Sequence, residues 1–303
     1  MAAGRYAPSP TSDLHVGNLR TAVLAWLFAR STGRDFLLRV EDLDTDRVRA
    51  ADGTEARQLT DLAALGLVFD GELVRQSDRH DAYAAAVTAL GDRVYECYCT
   101  RREIAQAASA PHGEPDGFRP YPGTCRDLTE RERAERRRTR RPALRIRADD
   151  AWVAIADELM GRVTGPVDDF VLRRGDGVWA YNLAVVVDDI AMGVDQVVRG
   201  DDLLSSAPRQ AWLTEQLGGT VPAYAHVPLV VNPDGVRLAK RDGAVSLTDL
   251  AATGRDAAWV LRWIGESLGL SAEGEAVTLD LLLTRFDPDA LPRTPTVFAH
   301  SPA

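Results

Sequence analysis

The loop Ser9-Pro10-Thr11-Ser12-Asp13-Leu14-His15-Val16-Gly17-Asn18 holds the first residues with an evident chemical use. A short apolar segment precedes it and a helical pattern follows, so a helix N-terminus opens near Gly17. Backbone N–H groups and the helix dipole at such an end attract an anion, and a phosphate is the natural occupant. His15 can donate to a phosphoryl oxygen, with Asn18 beside it. Gly17 lets a flat ring such as adenine approach the backbone. On its own, such a loop is more often a turn with a capping histidine. A second element, Arg237-Leu238-Ala239-Lys240-Arg241, follows the turn Asn232-Pro233-Asp234-Gly235. A loop lysine there can offset the charge of a departing pyrophosphate. Alone, it too is more often a solvated surface loop. The third element is Cys97-Tyr98-Cys99 with Cys125. Thiolates suit Zn²⁺, which takes four ligands, and by spacing His112 is the usual kind of fourth.

The elements that must position these residues follow from pattern. Gly4 to Ala7 reads as a short buried strand, Gly17 to Arg30 as a helix ended by Gly33, Asp35 to Val40 as a strand and Thr54 to Leu65 as a helix. Short strands alternating with helices predict a parallel α/β sheet. The Pro- and Gly-rich stretch from Cys97 to Cys125 and the basic run Arg131 to Arg141 read as an insertion. The sheet pattern returns with Leu183 to Val187 as a buried strand, followed by strands at Gln196 to Arg199 and Val227 to Val231. From Thr248 the chain reads as helical, with Trp259, Leu261, Trp263 and Ile264 turned inward.

Composition bounds the class. A chain of 303 residues, 45% hydrophobic and 27% charged, can bury a large core. A formal net charge of −9 gives no overall attraction for a polyanion, so any RNA contact must be local. No signal-peptide core and no apolar run long enough to cross a bilayer are present, which predicts a cytoplasmic protein without a membrane partner. Three cysteines in a reducing compartment argue against a disulfide framework.

Taken together, the first two elements resemble the HIGH and KMSKS motifs of class I aminoacyl-tRNA synthetases. Their order and separation fit an insertion between two halves of a nucleotide-binding fold. Arg5-Tyr6-Ala7-Pro8-Ser9-Pro10-Thr11, Leu38 to Asp44 and Ala180 to Asp202 resemble the glutamyl subgroup in particular. The resemblance spans roughly residues 4 to 245. Ser12 stands where that family usually has glycine, and Ala239 and Arg241 make the lysine loop a loose match. It implies a Rossmann-like parallel sheet with an inserted zinc-containing, acceptor-type subdomain and a helical stem-contact-like segment. The expected divisions are 1–92 and 171–232 for the two halves of the catalytic domain, 93–170 for the insertion and 233–303 for the lysine loop and helical segment.

What the resemblance implies about chemistry is specific. ATP, with Mg²⁺, would be held by His15, Gly17, Asn18 and Lys240, with His15 and Lys240 catalytic. Glutamate needs a guanidinium for its side-chain carboxylate, and Arg5 and Arg199, beside strands at the sheet edge, are the candidates. Glu41 suits the substrate ammonium, Tyr181 offers a hydroxyl, and Tyr6, Ala7, Pro8 and Ser9 complete the pocket. In related glutamyl-queuosine synthetases the pattern Cys-x-Cys followed by Tyr-x-x-x-Cys recurs, which makes Tyr121 the fourth ligand of a structural Zn²⁺ with Cys97, Cys99 and Cys125. The chain ends about 60 residues past the lysine loop, too few for an anticodon-binding domain. A truncated core of this kind, expected to act as a monomer, implies transfer of glutamate to queuosine at the wobble position of tRNA(Asp). The rivals are a fragment charging a tRNA 3′ end, a non-catalytic tRNA-binding paralogue and a pantothenate-type synthetase. Arg131 to Arg141 is a candidate RNA contact, set against a solvated helix in which Glu132 and Glu135 offset the arginines.

Overall fold

The computed structural model describes residues 2–100, 102–104, 121–238 and 245–299. Its chain opens with β1 (Ala3–Tyr6), α1 (Val16–Ser31) and β2 (Asp35–Val40), the strand, loop, helix and strand read from the pattern. Gly33, at φ +69°, turns the chain out of the helix. α1 lies at the centre of the largest apolar cluster and is buried on nearly every side. Then follow α2 (Thr45–Arg49), α3 (Thr54–Ala64), β3 (Val74–Arg75) and α4 (His80–Ala89). The next elements are β4 (Val94–Cys97), α5 (Glu130–Arg137), β5 (Ala143–Ile146), β6 (Ala151–Asp157), β7 (Gly161–Val167) and β8 (Val171–Arg173). Beyond them lie α6 (Tyr181–Ala191), β9 (Val194–Gly200), α7 (Ala207–Gln216), β10 (Ala223–Val227) and β11 (Val230–Val231). The chain closes with α8 (Leu247–Ala252), α9 (Ala257–Ser267), α10 (Leu279–Arg285) and β12 (Thr296–Val297).

The main sheet runs β3-β2-β1-β9-β10-β6-β7. Its pairings are parallel except for the β6–β7 hairpin. From β1 the chain moves outward to β2 and β3, then returns to the other side of β1 as β9. The sheet therefore has a topological switch point between β1 and β9, where open α/β sheets bind ligands at the carboxyl ends of their strands. Arg5 and Arg199 sit on these two central strands, so the edge they share is the carboxyl end of the sheet and not its side.

Two expectations are corrected. Leu183 to Val187 is not a strand but the middle of α6, and all five residues are buried. The helix is packed between α4, α7 and the strands, which buries the five-residue apolar stretch as a strand would be buried. Val227 to Val231 is broken by Pro228, which has no N–H to give a ladder. β10 ends at Val227, and β11 pairs with β12 instead. The span 93–170 contributes strands to two sheets. β4, β5 and β8 make their own antiparallel sheet, but the β6–β7 hairpin joins the main sheet through Tyr224 and Asp157. Turn and charge patterns do not tell which sheet a hairpin will join.

The last helices pack on α1, with Leu261 and Ile264 buried and Trp259 and Trp263 partly so. Arg20, 1% exposed, joins them to it by donating to Ser267 Oγ (3.0 Å) and Pro228 O (3.1 Å). Among the described residues no helix is long and apolar enough to cross a membrane.

Candidate active site

The switch point opens into a cleft of ≈ 600 Å³ whose walls include Tyr6, Ala7, Pro8, Ser9, His15, Gly17, Asn18 and Arg199. That volume suits a ligand of nucleotide size. His15 is the N-cap of α1. Its Nδ1 accepts from the N–H groups of Gly17 (3.1 Å) and Asn18 (3.3 Å), while Asn18 Oδ1 accepts from the His15 N–H (3.1 Å). Because Nδ1 is the acceptor, the proton of the neutral ring is on Nε2, which is left as a donor. Capping and phosphate recognition are therefore compatible uses of one imidazole. A Cβ on Gly17 would lie 3.0 Å from the His15 ring and 3.3 Å from Val230 Cβ. The space that the sequence reading reserved for a flat ligand is thus partly taken by the imidazole itself.

Burial, and then Arg237, push the His15 pKa from 6.5 down to about 4. A depressed value means that the unfolded chain takes up its proton first as pH falls. The stabilisation from the neutral, capping ring is complete above the unfolded value and is lost as pH drops towards the folded one. An NMR titration of the His15 ring is expected to show a midpoint near 4. A midpoint at the ordinary histidine value would mean that the ring is neither buried nor held beside Arg237.

The loop before His15 is pinned by a residue the sequence did not single out. Gln58 Nε2 donates to Ser9 O (3.0 Å) and Ser12 O (2.7 Å). Tyr6 Oη donates to Asn18 O (3.2 Å), and Pro8 O accepts from the Glu41 N–H (2.9 Å). Lys240, with Ala239 and Arg241, lies outside the described residues. On one side of that stretch Arg237 and Asp202, both in the cleft wall, meet at 2.5 Å. On the other, Val245 O accepts from the Val16 N–H at the start of α1 (3.3 Å).

Arg5, Glu41 and Tyr181 do not line this cleft, but hydrogen bonds and buried charge link them beside it. Asp189 of α6 receives Arg39 Nη1 (2.6 Å) and Arg5 Nε (3.4 Å), and Arg39 Nη2 also donates to Glu41 Oε1 (3.2 Å). No side chain of the four is more than 12% exposed. Burial would raise the Asp189 carboxyl, but Arg39 and Arg5 outweigh it and hold the group below the usual range. Glu41 goes the other way. Burial raises it, and Arg39 and Arg5 offset this only in part. Glu41 is therefore a buried carboxylate short of positive charge.

Arg199 donates through Nη1 to Gln210 Oε1 (2.6 Å) and to Tyr181 Oη (3.4 Å). Its Nε donates to His226 Nε2 (3.0 Å), and His226 Nδ1 meets Asp157 Oδ2 at 2.5 Å. Tyr181 is the first residue of α6 and not a strand residue. Sequence reasoning missed Arg39, Asp189, Gln58, Gln210, His226 and Asp157. A signal existed for two of them. Arg39 stands two residues before Glu41 in an apolar strand, so the two share a face, and Asp189, with Asp188, interrupts an apolar run.

The sulfur atoms of Cys97, Cys99 and Cys125 all lie within 4.8 Å of one another. Tyr121 Oη is 3.4 Å from Cys97 Sγ and 3.6 Å from Cys99 Sγ, and it accepts from the Cys125 N–H (2.9 Å). The Arg145 guanidinium lies 3.9 Å over the Tyr121 ring and fixes its orientation. Three soft thiols and one phenol oxygen thus converge as a donor set that fits a tetrahedral metal. His112, the ligand suggested by spacing, lies outside the described residues.

Several arginines of the basic run brace this region. Arg137 pairs with Glu96 (2.7 Å) and Glu130 (2.6 Å), Arg140 donates to Tyr98 O (2.7 Å) and Arg136 reaches Cys125 Sγ (3.5 Å). Such bonds favour the solvated-helix reading of residues 131–141 over an RNA contact.

Residues 2–292 match the family model for the catalytic domain of class I tRNA synthetases (E and Q). The glutamyl-Q tRNA(Asp) synthetase of Nocardia farcinica is 61% identical over 302 residues, covering 99% of this chain and 94% of that one. Its counterpart in Deinococcus radiodurans is 48% identical over 92% of this chain and 94% of its own. Among solved structures, a glutamate tRNA ligase from Elizabethkingia meningosepticum in complex with its amino acid superposes with a TM-score of 0.80. It is 27% identical, and the match covers 98% of this chain and 67% of that one. With these relatives and this cleft, the chain belongs to the class I tRNA synthetases of the E and Q group and is a ligase of that family.

Proposed function

We propose that this enzyme activates L-glutamate with ATP and passes it to queuosine at the wobble position of tRNA(Asp). One arrangement carries the first half: a helix N-terminus capped by His15 opens beside Arg199 and the Arg5–Asp189–Arg39–Glu41 network, at one switch point of the sheet. The phosphates would lie at the start of α1, with the His15 Nε2–H as donor. Gly17 and Asn18 line the same end. The substrate ammonium would complete the charge balance at Glu41. Its side-chain carboxylate would take Arg199, while Tyr181, Arg5 and the Tyr6–Ser9 segment shape the surroundings.

The glutamate α-carboxylate then attacks the α-phosphorus of ATP, and pyrophosphate leaves. Mg²⁺ arriving with ATP neutralises phosphate charge. His15 and Lys240 serve the same end from the protein side, as fixed donors aimed at developing charge. In the second half a queuosine hydroxyl attacks the adenylate carbonyl, AMP leaves, and the hydroxyl proton passes to the AMP phosphate or to solvent. Support for this acceptor comes from the relatives, several of which bear the name glutamyl-Q tRNA(Asp) synthetase. Cys97, Cys99, Tyr121 and Cys125 would hold one structural Zn²⁺, which would tie the end of β4 to the 121–125 segment and take no part in the reaction.

The likeness to glutamate tRNA ligases favours a second reading, charging of a tRNA 3′ end. Incubation with ATP and labelled glutamate, followed by tRNA(Asp) with and without queuosine, separates the two. Label is expected only on the queuosine form and is expected to survive removal of the 3′-terminal adenosine. Label on the 3′ end of tRNA(Glu) would establish the second reading instead.

A further inference from the structure

The geometry points to His226 as a positioning residue that acts through Arg199, with Asp157 holding His226 in the required tautomer. The inference rests on the reading above, in which Arg199 receives the glutamate side-chain carboxylate. Arg199 and His226 are direct cross-strand partners on β9 and β10. An arginine has five N–H donors and no acceptor. The contact from Arg199 Nε to His226 Nε2, at 3.0 Å, therefore requires a lone pair on Nε2. The ring proton must then sit on Nδ1, which faces Asp157 Oδ2.

Asp157 is itself fixed. Its carboxylate oxygens accept from the backbone N–H groups of Leu159 (2.9 Å), Met160 (2.8 Å) and His226 (3.1 Å to Oδ2). Asp157 and His226 are both fully buried. The relay thus runs from a turn of backbone donors, through a carboxylate and a neutral imidazole, to one nitrogen of a guanidinium in the cleft wall. Gln210 fixes a second nitrogen of the same group. A guanidinium is planar, so holding Nε and Nη1 sets its plane; Nη2 gives one N–H to Leu203 O (3.4 Å), and the direction of its other N–H, the one left to meet a carboxylate, is then fixed. Without His226, Arg199 keeps its charge and loses its aim.

Two variants and one control test this by glutamate-dependent ATP–pyrophosphate exchange. His226→Leu removes both contacts. His226→Gln places an amide oxygen near the former Nε2, so Arg199 keeps an acceptor while Asp157 loses its partner. His226→Leu is expected to raise the KM for glutamate about tenfold or more, as for a lost hydrogen bond to a charged group. The KM for ATP should change by less than about twofold, and His226→Gln should recover most of the loss. Equal rises in both KM values, or no recovery with glutamine, would overturn the relay. Arg199→Lys is the control. If it leaves the KM for glutamate unchanged, the assignment of Arg199 fails and the relay fails with it. If it raises that KM while His226→Leu does not, the assignment stands and the relay alone is overturned. A measurement on the unaltered protein needs no variant to fold. ¹⁵N shifts of the His226 ring are expected to show a protonated Nδ1 and a bare Nε2, and a protonated Nε2 would refute the proposal.

Discussion

An Asp189→Asn enzyme is expected to lose about 3–5 kcal/mol of stability, the usual cost of taking one partner out of a buried ion pair, and much of its affinity for glutamate. Asp189 is the carboxylate on which Arg5 and Arg39 converge, at 3.4 and 2.6 Å. Arg39 is fully buried and Arg5 nearly so. An amide offers these guanidinium groups one uncharged oxygen and turns two N–H donors towards them. Arg39 would retain Glu41 at 3.2 Å and Asp188 at 3.7 Å. Asp188 is already occupied by Gln76, Arg79 and Tyr83. Glu41 would therefore be drawn more fully into an internal ion pair and be less available to a substrate ammonium. Chemical denaturation reads the first effect and the KM for glutamate in pyrophosphate exchange reads the second. A variant with normal stability would show that the two arginines do not depend on Asp189. Lost stability with an unchanged KM would separate the network from the glutamate site.

This network also shows what a sequence can and cannot disclose. β2 was legible to the residue because Asp35-Phe36-Leu37-Leu38-Arg39-Val40 is bounded by turn signals and is apolar between them. α1 was legible because its apolar run is too long for a strand and Gly33 ends it, although the helix is buried on nearly every side. The capping histidine was legible as a residue, but its two roles were read as alternatives, and the structure shows that they need different nitrogens. α6 was misread because its buried apolar stretch is only five residues long, the length of a strand, and its run of valines favours a strand locally. The hidden partners are of another kind. Arg39 and Asp189 stand 150 residues apart, and His226 and Asp157 stand 69 apart. The first pairing is decided by how α6 packs on the sheet and the second by strand order, which no local pattern encodes. A buried charge in an apolar segment announces that it needs a partner, but not which one.

Loss of the proposed Zn²⁺ is expected to have the other large effect, and the reason lies in how little apolar burial the described residues around it supply. Among the described residues, the apolar cluster there consists of Tyr95, Cys97, Tyr98, Tyr121 and Cys125, with Cys99, Ile104 and Leu128 partly buried against it. Three of its five buried members are tyrosines with polar tips, so the cluster is too small to order the chain by burial alone. A structural Zn²⁺ contributes an apparent binding free energy of about 10–16 kcal/mol at neutral pH in small metal-dependent folds. Cys125 is the donor whose loss should matter most. It is fully buried, its sulfur lies 3.6 Å from Cys99 Sγ, and it accepts from the Tyr98 N–H and from Arg136. A Cys125→Ser protein is expected to bind almost no zinc, against about one per chain in the parent. Its three-stranded sheet should melt in a separate, earlier transition. β8 of that sheet packs on α6 through Leu172 in the cluster that holds Leu183 to Val187. The damage should therefore reach Tyr181 and Asp189 and lower glutamate activation, without abolishing the fold of the core around α1. Parent protein purified without chelator that contains no zinc, or a variant that melts in a single transition at the parent's temperature, would show that the three thiols are only a buried apolar contact.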